Sequence, residues 1–256
     1  MKIATFNINS VRIRQDDLLQ WMKNDSIDIV ALQETKVQDK DFPLDAFTQA
    51  GYHAVYKGEK GKNGVAVISK MQAKNIAYGL DEIGLENEAR LVRAEYDDIT
   101  LINTYVPQGR EVGTEYFAYK LSWLRGMKAY FEKHCQAKKK TIWLGDLNVA
   151  PKNIDVYDPK SLAGYVCFHP DEQAAFEYTK AWGFIDLFRK HIPDEGHYTF
   201  WDYRIPNALK RGMGWRIDHV LATPAIADKS KNAYVVVEMR EKERPSDHAP
   251  FVVEFA

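Results

Sequence analysis

Amide and ionisable side chains stand where the apolar stretches of this chain run out. "IATFNIN" ends in Asn7 and Asn9, "DIVALQET" in Glu34, "LINTYVPQG" in Tyr105 and Gln108, and "TIWLGDLN" in Asp146 and Asn148. "WRIDHV" carries Asp218, and "ERPSDHAPFVVEF" sets Asp247 and His248 directly before an apolar run. Each would cost free energy if buried alone, so the set is expected to converge and satisfy itself as a carboxylate-rich cleft with amide and imidazole partners. Hard divalent cations such as Mg²⁺ are held by one or two carboxylates with several waters retained, which Glu34 and Asp247 would supply. An acidic residue away from the cation would serve as base for an attacking water, and Asn, His and Tyr would donate to phosphate oxygens. These are the requirements of phosphodiester hydrolysis. "SDH" imitates a Ser-His-Asp triad in composition only. Adjacent residues of an extended chain point opposite ways, so Ser246, Asp247 and His248 cannot form a relay among themselves. Any one of these motifs is also an ordinary turn, because Asp, Asn, Gly and Pro are turn formers.

The elements that must position these residues are short. Runs rich in β-branched and aromatic residues ("IATFNI", "DIVALQ", "GVAVIS", "RLVRAEY", "ITLINTYV", "TIWLGDL", "RIDHVLA", "AYVVVEM", "FVVEF") predict strands. Alternation puts Asn7 and Asn9 on one face, and likewise Asp146 and Asn148 if the strand persists that far. "RLVRAEYDDITLINTYV" predicts a hairpin turning at Asp97-Asp98. "RQDDLLQWMKN", with Leu18, Leu19 and Met22 at helical spacing, "EYFAYKLSWLRGMKAYFEKH" and "DEQAAFEYTKAW" predict helices. "TFNIN" and "LGDLN" form a weak internal repeat. With no Ser/Gly/Pro-rich linker, the pattern predicts a single α/β domain over residues 1–256, packed sheets covered by helices.

Composition sets the boundaries of the reading. The chain has 256 residues, 45% hydrophobic and 28% charged, with a formal net charge of −1, so any nucleic-acid contact must rest on a local patch. Cys135 and Cys167 lie in no metal spacing and read as reduced thiols. No signal peptide and no run of about 18 apolar residues is found, which points to a cytoplasmic protein without membrane contact.

"TFNIN", "LQETK", "YVPQG", "LGDLN", "WRIDHVL" and "PSDHAP", in this order along the whole chain, resemble the exodeoxyribonuclease III / AP endonuclease family of the endonuclease–exonuclease–phosphatase superfamily. "YTFWDYR" followed by "GWRIDH" narrows the resemblance to the DNA-repair branch. It implies a two-sheet β-sandwich flanked by helices, a four-layer fold of the DNase I type. It also implies a Mg²⁺-dependent phosphodiesterase, with Mn²⁺ as an alternative, that incises 5′ to abasic sites or trims 3′ ends as a 3′–5′ exonuclease on double-stranded DNA, as a monomer. By motif position, Glu34 would bind the metal with Asn9 and Asp247 nearby. Asp146 would deprotonate the water, Asn148 would position it or Asp146, and His248, oriented by Asp218, would donate to the scissile phosphate. Asn7 and Tyr105 would line the phosphate site. Asn9 stands where some members carry Asp, one negative charge fewer at the metal.

On the substrate side, Phe200, Trp215 and Ile217 match the family's apolar pocket for an extruded abasic sugar, which excludes normal nucleotides by size. Gln108, Lys120 and Arg216 are expected to contact substrate. Arg204, Lys210, Arg211 and the stretch "YKGEKGKNG" would form a local phosphate track, whereas "KKK" at 138–140 reads as a solvated connection. Trp201 and Tyr203 read equally well as core. A catalytically silent regulator that binds RNA or protein would lack one of Glu34, Asp146, Asp218, Asp247 or His248. All are present. Another phosphodiesterase of the superfamily is the remaining alternative.

Overall fold

The computed structural model describes residues 1–256. Its strands are β1 (Lys2–Asn7), β2 (Ile29–Gln33), β3 (His53–Glu59), β4 (Lys62–Ser69), β5 (Lys74–Tyr78), β6 (Leu91–Tyr96), β7 (Ile99–Tyr105), β8 (Lys140–Asp146), β9 (Ile185–Asp186), β10 (Asp218–Ala222), β11 (Ser230–Val235) and β12 (Phe251–Phe255). They form two six-stranded sheets, ordered β11-β12-β1-β2-β4-β3 and β5-β6-β7-β8-β10-β9. Each sheet has one parallel pair at its centre, β1–β2 and β7–β8, and is antiparallel elsewhere. The helices are α1 (Val11–Asn24), α2 (Leu44–Gln49), α3 (Glu115–His134), α4 (Pro170–Lys180), α5 (Leu187–His191) and α6 (Pro224–Ala227).

Alternation along the strands builds three apolar layers. Ile3 of β1, Ile29 and Ala31 of β2, and Leu144 of β8 point between the sheets into the central core. Ala4 and Phe6 point outward and meet Leu18 and Met22 of α1. On the other sheet Trp143 and Ile102 meet Trp123, Leu124, Met127 and Phe131 of α3 and Phe176 of α4. The result is the helix–sheet–sheet–helix order of a four-layer sandwich. The predicted turn at Asp97-Asp98 joins β6 to β7 with Tyr96 opposite Ile99, and Asp97 takes a left-handed conformation (φ 53°).

Three strands escaped sequence reading, one of them the two-residue β9. β3 and β5 are edge strands whose side chains are mostly half-buried or exposed, so they carry little apolar alternation. The "YKGEKGKNG" stretch is therefore a β3–β4 hairpin. "AYVVVEM" was expected as one strand, but β11 ends at Val235 and Val237–Glu241 winds into a 3₁₀ turn that drops Met239 into the outer core. Gly145 of "LGDLN" answers to close strand approach. Its φ is 143°, and a Cβ there would stand 1.9 Å from the Thr104 carbonyl oxygen.

Candidate active site

Asn7 ends β1 and Asp146 ends β8, and a hydrogen bond joins them across the two sheets. Asn7 is fully buried, and its Nδ2 donates to Asp146 Oδ2 (2.9 Å) and Glu34 Oε1 (2.8 Å). Both amide hydrogens are therefore committed to carboxylates. That corrects the expectation that Asn7 lines the phosphate site: it ties the two halves of the site together instead.

Around Glu34 the side chains present oxygens and one ammonium. Asn9 Nδ2 donates to Asp247 Oδ1 (3.0 Å), while Lys36 Nζ lies 2.6 Å from Asn9 Oδ1 and 2.8 Å from Glu34 Oε2. Burial pushes the Glu34 carboxyl up, but hydrogen bonds from Asn7 and Lys36 override this and hold it below the ordinary glutamate value. The donors offered by Glu34, Asn9 and Asp247 are all oxygens, and the Lys36 ammonium already stands among them as a cationic substitute. This set fits a hard divalent ion. Glu34 itself has a left-handed backbone (φ 50°), a costly conformation for a side chain of this kind. The Ser10 amide holds its carbonyl at 2.8 Å.

Around Asp146 the structure gathers titratable groups. Register places Asp146 between Tyr105 and Asp218 on neighbouring strands. His248 Nδ1 is 2.8 Å from Asp218 Oδ2, and its Nε2 is 3.8 Å from Asp146 Oδ2. Burial alone would lower the His248 pKa, but the Asp218 and Asp146 carboxylates raise it to about 10, so the ring is an imidazolium at neutral pH. With both nitrogens protonated, Nδ1–H donates to Asp218 and Nε2–H faces the cleft. Asp146 is buried, which pushes its carboxyl up to about 7 against the opposing pull of His248; Asp218 and Glu34 push the same way as burial. Tyr105 is raised well above the ordinary tyrosine value by burial and by Glu34 and Asp146, so its hydroxyl remains a donor. Ligand atoms of Asp146, Asp218 and His248 lie within 4.8 Å of one another, close enough to hold a metal as well.

The turn at Asn148 differs from the sequence expectation. β1 stops at Asn7 and β8 at Asp146, so Asn9 and Asn148 share no strand face with them. Both are left-handed instead (φ 46° and 52°). The Asn148 amide donates to Asp146 Oδ1 (3.0 Å), and Nδ2 donates to the Val106 carbonyl (3.0 Å).

A cleft of about 870 Å³ opens over Asp146, His248 and Glu34, and Phe200, Trp215 and Ile217 wall one side of it. Phe200 is paired with both Trp215 and His248, its ring centroid 4.9 Å from the imidazole, and Phe168 meets Trp215 edge-on. Gln108 borders the same cleft and holds its shape by accepting from the Arg110 amide (2.7 Å). Arg204 lies on the rim, paired with Asp202. Trp201 is buried, while Tyr203 is exposed and reaches the Pro245 carbonyl.

Two expected substrate contacts are misplaced. Arg216 is fully buried, forked onto Asp155 (2.7 and 3.1 Å) and paired with Asp186 (3.0 Å). It also donates to His219 Nδ1, while His219 Nε2–H donates to the Val149 carbonyl. Burial and the Arg216 charge lower His219 to about 4, so it is neutral. Arg216 thus fixes the segment that carries Trp215 and Ile217 into the start of β10 at Asp218, and cannot meet DNA. Lys120 is likewise fully buried and binds Glu172 and main-chain carbonyls.

Sequence reading passed over other residues. Lys36 sat inside the quoted "LQETK" as an unassigned cation. Arg14 gave no signal at all: its guanidinium donates to the carbonyls of Ile8 and Asn9 on one loop and of Arg244 and Pro245 on another, joining the loops that carry Asn9 and Asp247. Arg90 lies over the Tyr105 ring at 4.7 Å and opens onto a second cavity beside the cleft.

A family model described as "Endonuclease/Exonuclease/phosphatase family" matches residues 4–248. An exodeoxyribonuclease of Bacillus subtilis (strain 168) is 33% identical over 255 residues, covering 98% of this chain and 97% of the relative. An AP endonuclease structure from Archaeoglobus fulgidus superposes with a TM-score of 0.96 at 43% identity, covering 100% of this chain and 99% of that one. A 3′ phosphatase from Neisseria bound to a product DNA hairpin superposes at 0.94 with 33% identity, with the same coverage.

Proposed function

The chain belongs to the endonuclease/exonuclease/phosphatase family, in its exodeoxyribonuclease III / AP endonuclease branch, and from that premise we propose that it is a DNA-repair nuclease. Its reaction is hydrolysis of phosphodiester bonds in duplex DNA, at abasic sites and at blocked 3′ ends. Residues 1–256 act as one catalytic domain, as a monomer in the cytoplasm; no helix is long and apolar enough to cross a membrane.

A single observation carries the mechanism: the imidazolium of His248 stands between Asp218 and Asp146, beside an aromatic wall and one residue from Asp247. Asp146, with a pKa near 7, takes the proton of the attacking water. The Asn148 amide on Oδ1 and the Asn7 amide on Oδ2 hold this carboxylate in place. His248 Nε2–H and the Tyr105 hydroxyl donate to the non-bridging oxygens, where negative charge builds in the transition state. Asp218 keeps His248 charged and turned. Glu34, Asn9 and Asp247 would hold Mg²⁺ or Mn²⁺, which would supply Lewis-acid neutralisation of phosphate charge. Phe200, Trp215 and Ile217 receive the extruded abasic sugar.

The test is a duplex with one central abasic-site analogue, assayed with and without Mg²⁺ beside a duplex with a recessed 3′ end. Strand incision at the analogue only with the metal is expected. No cleavage of either duplex in Mg²⁺ or Mn²⁺ refutes the proposal.

A further inference from the structure

Lys120 of α3 and Glu172 of α4 form an ion pair at 2.5 Å, and neither side chain has any solvent exposure. Removing two charges from water costs several kcal/mol each, and apolar side chains of similar size commonly serve stability as well or better. The pair therefore calls for a geometric explanation. Beside this ion pair the ammonium donates to Asn148 O (2.6 Å), Gln108 O (3.1 Å) and Cys167 Sγ (3.6 Å), so each of its three hydrogens has a partner. Glu172 Oε2 accepts from the His169 amide (3.1 Å) at the start of α4. The carbonyls that Lys120 grips belong to the two turns lining the cleft, one leaving β7 and one leaving β8. The first carries Gln108. The second carries Asn148, whose left-handed backbone directs its amide onto Asp146 Oδ1.

We infer that Lys120 and Glu172 are positioning residues, a buried clamp that sets Asn148 and through it the Asp146 carboxylate, while fixing the Gln108 lip opposite the aromatic wall. The inference rests on the nuclease reading of this site and extends it to side chains that touch neither water nor phosphate. Lys120 cannot contact DNA, because it is enclosed. It is not a nucleophile either, because its hydrogens are all committed.

The experiment compares Lys120→Met, Glu172→Leu and the double variant with wild type, reading Tm, and kcat and KM on the abasic duplex. Each single change strands a buried charge and lowers Tm, and the double change restores most of it. A positioning role predicts that kcat does not follow: the double variant stays about 10- to 100-fold below wild type with KM within about threefold. A double variant with near wild-type Tm and wild-type kcat overturns the inference, as does a rise in KM alone. Should the double variant not fold, Glu172→Gln takes its place, keeping acceptors for Lys120 and His169 while removing the negative charge. Reduced kcat at constant KM then supports the clamp, and unchanged kcat overturns it. An inactive wild type fails the nuclease reading instead, and the wild-type control separates the two.

Discussion

Replacing Asp218 by Asn probes the most strongly perturbed group in the cleft. The rise of His248 from 6.5 to about 10 represents about 5 kcal/mol in favour of the imidazolium. Both carboxylates contribute, Asp218 in direct contact at 2.8 Å and Asp146 at 3.8 Å. Asp218 is the larger of the two carboxylate contributions, so its removal lowers the His248 pKa, and the alkaline limb of the rate profile moves down with it. The Asn amide oxygen still accepts from Nδ1–H, so once the ring is neutral its single hydrogen stays on Nδ1 and Nε2 is left without the hydrogen it gives to phosphate. Losing one such donor costs roughly 10²- to 10³-fold in kcat, about 3–4 kcal/mol. His248→Asn removes the same donor, so each single variant is expected to fall by about that factor. The double variant is expected to fall little further, because the two residues act as a unit. Single-turnover cleavage of the abasic duplex across pH gives the four rate constants of the cycle. Losses that multiply, or an alkaline limb that stays in place in Asp218→Asn, would refute the dyad.

Four further outcomes are expected. The pH dependence of kcat/KM should be bell-shaped, rising as Asp146 loses its proton near 7 and falling as His248 loses its proton near 10. A bound divalent cation moves both limbs lower, and a rate independent of pH across this range excludes Asp146 as the base. In stability, His248 has a raised folded pKa, so its contribution is complete below about 6.5 and is lost as pH climbs to about 10; equilibrium unfolding along this range measures it. Glu34→Gln should leave the circular dichroism spectrum intact while raising the Mg²⁺ concentration for half-maximal cleavage at least about tenfold, and equal Mg²⁺ dependence removes Glu34 from the metal site. Trp215→Ala should reduce abasic-site incision more than binding to undamaged duplex, and parallel losses would reassign Trp215 to the core.

The sandwich was legible because its central strands are continuous apolar runs, which fixed β1, β2, β4, β6, β7, β8, β10 and β12. The edge strands β3 and β5 were not, since a half-solvated strand has no such run. Site residues were legible for a related reason: a polar side chain ending a buried strand has to be explained. Charge sign carried less information than position. Lys120 and Arg216 read as phosphate contacts because they are basic and near the motifs, yet both are fully enclosed. Only the carboxylates brought from other segments, Glu172, Asp155 and Asp186, distinguish a buried cation from a DNA-facing one. No local pattern records those partners. The Arg14 clamp on main-chain carbonyls is invisible for the same reason.

The weak repeat between "TFNIN" and "LGDLN" has a physical basis in the two sheets. β1 and β8 occupy equivalent places, each flanked by a parallel neighbour (β2, β7) and an antiparallel one (β12, β10). Each ends in the same local device, a side-chain oxygen accepting from the amide two residues on: Asn7 Oδ1 from Asn9 at 3.1 Å, and Asp146 Oδ1 from Asn148 at 3.0 Å. Each second residue is left-handed, a conformation that Asn tolerates better than most. What differs is charge. The first half presents a neutral Asn7 and follows β2 with Glu34, whose pKa is held low and suits a cation. The second presents Asp146 beside Asp218 and Tyr105, where crowded burial pushes the carboxyl toward neutral pH and suits a base. The proposed division of metal binding from proton transfer rests on these two carboxylates having pKa values driven apart. Asn7 is the joint, since one amide nitrogen donates to both. An Asp at position 7 would put a third negative charge between them with no hydrogens to give, pushing Asp146 further up and loosening Glu34. The same backbone turn can therefore serve both halves only because its first side chain is an amide in one and a carboxylate in the other.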